Sequence, residues 1–288
     1  MRFRCCLFAL VVLLPCQAYA HEGAWGYKDK IFVFWADAGE ERDIYAINIE
    51  SGEMDRLTPL GVEDANGVYS PDGTQIAFFS RVNGAGEIFL MSGDGTGRTN
   101  VTQHPASDFN PSWSPNGKKL VFQRHETGSG QIYVMNKDGS GQTNISNNGF
   151  SDTNPAWSPD GASIAFISTR TGTHEVFVMN AEGENPAQLT KLGRGARNPK
   201  WSPDGKYLAF HTDEINAGTG ADKGSIFVFF LEDRSLRELP LEEGYNFNPF
   251  FSRDGKRLGY NAWREGSVYV CFFVLETGEE HCHIFSLH

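Results

Sequence analysis

Apolar residues in this chain come in short bursts, and the residues between them are mostly turn formers. Ile76-Ala77-Phe78-Phe79, Leu120-Val121-Phe122, Ile164-Ala165-Phe166 and Leu208-Ala209-Phe210 each lead through a loop to a second burst. Gln131-Ile132-Tyr133-Val134-Met135-Asn136 and Glu175-Val176-Phe177-Val178-Met179-Asn180 are two of these second bursts. β-Branched and aromatic runs bounded by Asp-Gly and Gly-rich turns are the signature of strands joined by hairpins. No segment carries the 3.6-residue apolar period of an amphipathic helix. The pattern predicts an all-β chain.

The bursts are paced by a recurring box. Tyr69-Ser70-Pro71-Asp72-Gly73, Trp113-Ser114-Pro115-Asn116-Gly117, Trp157-Ser158-Pro159-Asp160-Gly161 and Trp201-Ser202-Pro203-Asp204-Gly205 follow one another at 44-residue steps. A worn copy, Phe251-Ser252-Arg253-Asp254-Gly255, comes 50 residues after the last of these, and 44 residues before Tyr69 stands Trp25 with only Gly26-Tyr27-Lys28-Asp29 behind it. Each unit has four strand signals: one ending on the boxed aromatic, two bursts, and a short fourth strand such as the one ending near Asn144-Ile145-Ser146. Four antiparallel strands in a repeat of this length describe a propeller blade. Six blades, starting at about 25, 69, 113, 157, 201 and 251, fill residues 21–288 as one six-bladed β-propeller. Closing the ring removes the exposed edges an open array would leave. The repeated aromatics are expected to pack between blades.

The N-terminus lies outside this pattern. Arg2 and Arg4 precede an apolar run from Cys5 to Leu14, and Ala18-Tyr19-Ala20 offers a cleavage site, so residues 1–20 read as a signal peptide. The run is too short to span a bilayer and no other is longer, so no integral membrane segment is expected and the product is periplasmic or secreted. The full chain has 36 acidic and 25 basic residues; losing Arg2 and Arg4 moves the net charge from −11 to −13. That balance argues against nucleic acid and anionic membranes as partners. Of the five cysteines only Cys271 and Cys282 survive cleavage. They sit on two strands around a turn at Glu276 to Glu279, a candidate cross-strand disulfide in an oxidising compartment.

The box resembles the WD40-like β-propeller repeat of the TolB family. The matching residues are the S-P-D-G boxes at Ser70, Ser158 and Ser202, the I-A-F strands, and I-Y-V-M-N from Ile132 to Asn136. The resemblance covers almost all of residues 21–288 and implies a periplasmic six-bladed propeller that binds another macromolecule. TolB also carries an N-terminal α/β domain; here the first blade begins within a few residues of the cleavage site.

In such a meander the boxes and the Asp-Gly hairpins share one face. The loops between the second and third strands, and between blades, share the other, where the units differ and function is expected. Five residues ahead of the boxed aromatics stand Asp64, Asp108, Asp152, Ala196 and Asn246; three ahead stand Asn66, Asn110, Asn154, Asn198 and Asn248. These positions are expected to ring the channel mouth. Such a ring suits a peptide backbone, sugar hydroxyls or a hard cation such as calcium. In the alternative reading each residue caps its own loop. The six inserted residues fall between about 213 and 224, where Asp213, Glu214, Asp222 and Lys223 are expected to overhang the mouth.

Catalytic signatures are missing: no G-x-S-x-G, H-E-x-x-H or Walker loop occurs. His281-Cys282-His283 alternates faces in a strand. His125, His174 and His211 border the same face, but at offsets of 12, 17 and 10 from their own boxed aromatics. The sequence therefore favours a scaffold that binds a protein or peptide of the cell envelope and needs no cofactor. The alternative is a metal-assisted polysaccharide lyase or hydrolase acting on carbohydrate at the same mouth, since oligogalacturonate lyases use related repeats.

Overall fold

The computed structural model describes residues 20–25, 31–37, 42–48, 51, 53–126, 128–215, 222–264 and 267–284. All of the expected signal peptide except Ala20 lies outside them. Among the described residues the chain forms twenty-four strands, β1–β24 in chain order, and no helix. The strands form antiparallel meanders of four. The last two meanders are joined by a single parallel bridge, Gly224 to Tyr245, between β19 (Asp222–Phe230) and β21 (Tyr245–Phe251).

The box makes its turn with its own side chains. Ser70 Oγ donates to Asp72 Oδ1 at 2.6 Å and accepts the Gln75 amide at 3.0 Å, while the Gly73 amide reaches Ser70 O at 2.8 Å. Gly73 has φ of +72°, open to Gly at no steric cost. The Ser70 hydroxyl, helped by the Thr74 amide and hydroxyl, holds the Asp72 carboxyl down to about 2. Serine and aspartate here are turn residues.

The fourth strands are very short, two residues long at Thr143–Asn144, and a hydroxyl extends them. Thr58, Thr102, Ser146 and Thr190 each accept a backbone amide of the third strand at 2.9 Å. Between meanders the repeated aromatics form the core: Phe78, Phe122, Phe166 and Phe210 are fully buried. Trp113 and Trp201 donate their indole N–H to Val68 O and Ala156 O of the preceding meander, each at 3.1 Å.

The six first strands are β1 (Ala20–Trp25), β5 (Asp64–Tyr69), β9 (Ser107–Trp113), β13 (Asp152–Trp157), β17 (Gly195–Trp201) and β21. Each lies against the next, and β1 lies against β21, so they enclose a central channel. β1 pairs with β2 (Ile31–Asp37), which makes the first meander contiguous in sequence. The outermost strand of the last meander, β24 (Glu280–Ile284), pairs with β23 (Ser267–Val274), with Cys271 directly opposite Cys282 and bonded to it.

That bond closes a loop with a sequence separation of 11. Chain entropy assigns a loop of this size about 3 kcal/mol. The double variant C271A/C282A is therefore expected to melt several degrees lower, and the reduced wild type should match it in thermal denaturation.

The expected overhanging loop is shorter than its sequence suggests. β18 (Tyr207–Ile215) and β19 continue their ladder through Asp213↔Gly224, Glu214↔Lys223 and Ile215↔Asp222. Asp213, Glu214, Asp222 and Lys223 thus stand in a hairpin ladder, because the inserted residues lengthen two paired strands. The connecting residues 216–221, and the side chains of Glu214, Asp222 and Lys223, lie outside the described residues.

Candidate functional site

Each first strand breaks register three residues before its boxed aromatic. Pairing jumps from Phe109↔Gln123 to Ser112↔Val121, leaving Asn110 and Pro111 as a bulge; the other first strands of the boxed units break at the matching place. Asn66, Asn110, Asn154, Asn198 and Asn248 all have φ between +48° and +55°. Asparagine tolerates this left-handed region better than other side-chain-bearing residues, which explains its recurrence. In β1, where the box has decayed, the register shifts between His21 and Gly23, and the matching position holds Glu22.

The five side-chain amides line the channel at this level. Asn66 donates to Asn110, Asn154 to Asn198, and Asn198 to Asn248. Gln123 bridges the remaining step, accepting from Asn110 Nδ2 at 3.0 Å and from the Asn154 backbone amide at 2.7 Å. The amides thus bond to one another and narrow the channel to a neck of about 30 Å³.

The aspartates of the expected ring do not join it. Asp64, Asp108 and Asp152 are fully buried, each against an arginine: Arg98 at 2.7 Å, Arg124 at 2.7 Å and Arg170 at 3.0 Å. Burial pushes the Asp64 and Asp108 carboxyls up, and the arginine hydrogen bonds oppose it. Each guanidinium also lies on an aromatic pair, Phe78/Phe89, Phe122/Tyr133 or Phe166/Phe177, with its centre 4.7 to 5.4 Å from the rings. Where Ala196 replaces the aspartate, Arg194 still covers Phe227 at 4.8 Å but pairs with the half-exposed Glu238. Asn246 is buried and donates to Glu242 O at 3.2 Å. These carboxylates, expected to charge a cation site, are committed to arginine, so the donor set does not fit calcium.

Because side chains alternate along a strand, the residue after each aspartate takes the other face. Phe109, Thr153, Arg197 and Phe247 occupy it, half-buried, with Ala65 buried. Phe109 stacks on Phe79 at 5.1 Å and meets the edge of His125 at 5.4 Å; Phe247 lies 5.2 Å from Tyr245. The strand face opposite the aspartates therefore carries aromatics and a cation at this end of the channel, one position along from the residues expected at the mouth.

Arg197 belongs to a second cluster. Its Nε donates to Asp213, which also accepts the Tyr245 hydroxyl at 2.5 Å. Against the upward push of burial, those two bonds hold the Asp213 carboxyl below its usual range. His211 Nε2 stands 3.7 Å from Asp213, and its Nδ1 accepts the Asn248 amide at 3.3 Å. Burial lowers His211 to about 4, and lowers His174 with help from Arg197. Burial also lowers His125. The three histidines do not converge as metal ligands. Among the described residues, the one trio with metal-ligand spacing is Cys271, Glu280 and Cys282, and its cysteines form the disulfide.

The chain is thus an all-β array of four-stranded antiparallel meanders around a channel. Residues 95–220 match the family model of the TolB beta propeller domain. Among solved structures, a putative TolB from Agrobacterium tumefaciens aligns with a TM-score of 0.70 and 21% identity, over 82% of this chain and 87% of that one. TolB from Acinetobacter baumannii gives 0.71 and 17%, over 85% of this chain and 60% of that one. An oligogalacturonate lyase in complex with manganese gives 0.67 and 15%, over 92% and 77%. No curated protein matches the chain in sequence. At these identities the structural likeness concerns the fold.

Proposed function

We propose that the protein is an exported, periplasmic or secreted six-bladed propeller that binds a protein or peptide partner in the cell envelope at the mouth opposite the boxes. The observation that carries this reading is the half-buried row Phe109, Arg197 and Phe247, with Tyr245 beside it. Aromatic and arginine side chains dominate the energetics of protein interfaces. The Cys271–Cys282 bond supports an oxidising compartment. A metal-assisted carbohydrate enzyme is the weaker reading, because the histidines at this mouth stand apart.

The test is capture of envelope proteins by purified wild type and by F109A/F247A. Each lost anchor should weaken capture by about tenfold or more; because Phe109 packs on buried Phe79, the melting point is measured alongside and capture is compared at a temperature where both proteins are folded. Partners retained at full strength by the double variant would defeat the proposal. So would a bound metal whose chelation lowers the melting point and abolishes cleavage of a polysaccharide.

A further inference from the structure

The other mouth, on the face of the boxes, opens into a cavity of about 490 Å³. It narrows inward to the asparagine neck, and Val68, Pro111 and Lys200 line both spaces. It is therefore a funnel that tapers toward the asparagine neck. Its wall carries Tyr69, Trp157, Trp201, Phe250 and Phe251. Trp157 differs from its counterparts: its indole donates to Gly161 O of its own box at 3.1 Å instead of to the preceding meander.

The charges here are one-sided. Lys200 at the floor and Arg253 higher up line the funnel, and among the described residues no carboxylate does, although the chain carries a net charge of −11. The box carboxylates Asp72, Asp160 and Asp204 are each engaged by the serine of their own turn. Among the described residues Lys200 has no ion pair within 4.0 Å. Nor does the fold require a lysine there: the matching positions hold Val68, Ser112, Ala156 and Phe250. A cation at the base of an aromatic, tapering cavity is complementary to an anionic group on an apolar body.

We infer that this funnel is a binding site for a carboxylate-terminated apolar ligand, its carboxylate on Lys200 and its apolar part against Trp157, Trp201 and Phe250. A neck of about 30 Å³ is far smaller than the funnel above it, so the site takes a chain end more readily than a through-running chain, which suits a peptide C-terminus ending in an apolar residue. The site is independent of the opposite mouth proposed above, and F109A/F247A leaves it untouched.

The experiment titrates the protein into a dye-labelled tetrapeptide ending in Phe, with a free carboxylate or as its amide, and follows fluorescence anisotropy. The free acid is expected to bind at least about tenfold tighter than the amide, a difference that shrinks as salt rises and vanishes in K200M. Competition by 3-phenylpropionate would support the site while assigning it to small free carboxylates; its failure to compete would assign it to chain ends. Equal affinity for acid and amide, no binding of the acid at millimolar concentration, or a preference that survives in K200M would overturn the inference. K200Q serves as the second variant, and the acid-against-amide comparison on wild type needs neither.

Discussion

D108A is expected to lose about 3–5 kcal/mol of stability, the cost of stranding a buried charge. Its partner Arg124 is only 4% exposed and makes two bonds to the Asp108 carboxylate, at 2.7 and 2.8 Å. Arg124 also holds Gln142 at 2.7 Å, which reaches back to Thr102 O of the preceding meander at 3.0 Å, so the damage spreads across a boundary between units. For a chain of this size the melting point should fall on the order of 10 °C. The double variant D108A/R124M should recover most of the loss, since an apolar replacement for a buried pair is often neutral. The chain contains its own precedent where Ala196 stands in the aspartate position and Arg194 has turned to the half-exposed Glu238. If D108A melts with wild type, the pair is not stranded by the change and this account of the aspartates fails.

The same residues show what the sequence could and could not reveal. The box repeats at a fixed step because turn geometry needs the same residues each time, so the strands and the array were legible. The asparagines were legible as a ring for a similar reason, since every boxed first strand bulges at the same place. The aspartates were misplaced because Asp108 and Asn110, two positions apart, would share a face in a regular strand, whereas the bulge at the positive-φ asparagine separates them. Their arginines were hidden, because Arg98, Arg124 and Arg170 reach equivalent sites from 29, 11 and 13 residues past their own boxed aromatics. A repeat alignment reveals only partners that keep their offset. Lys200 was visible as the one charge among apolar or small counterparts, but its place on the channel wall appears only once the first strands close around it.

The largest pH effect is expected from His211. Burial holds its folded-state value at about 4, against 6.5 for an exposed histidine. Between those values the unfolded chain binds a proton that the folded one refuses, so its contribution is full above pH 6.5 and is lost as pH falls toward 4. The loss amounts to about 3 kcal/mol in total, or roughly 1.4 kcal/mol per pH unit within that window. The structural reason is local: Nδ1 accepts the Asn248 amide, so protonation there evicts the hydrogen bond that holds the next bulge. The repeat itself supplies the control, since Gln123 at the matching position accepts the Asn154 amide through a neutral side chain. H211Q should keep the acceptor and remove the titration. Its melting point should track wild type at pH 7.5 and fall less steeply between pH 6.5 and 4.5. Other groups, including the lowered His125 and His174, act in both proteins, so the difference between the two curves isolates His211. Parallel curves would mean that His211 takes up its proton without leaving the core.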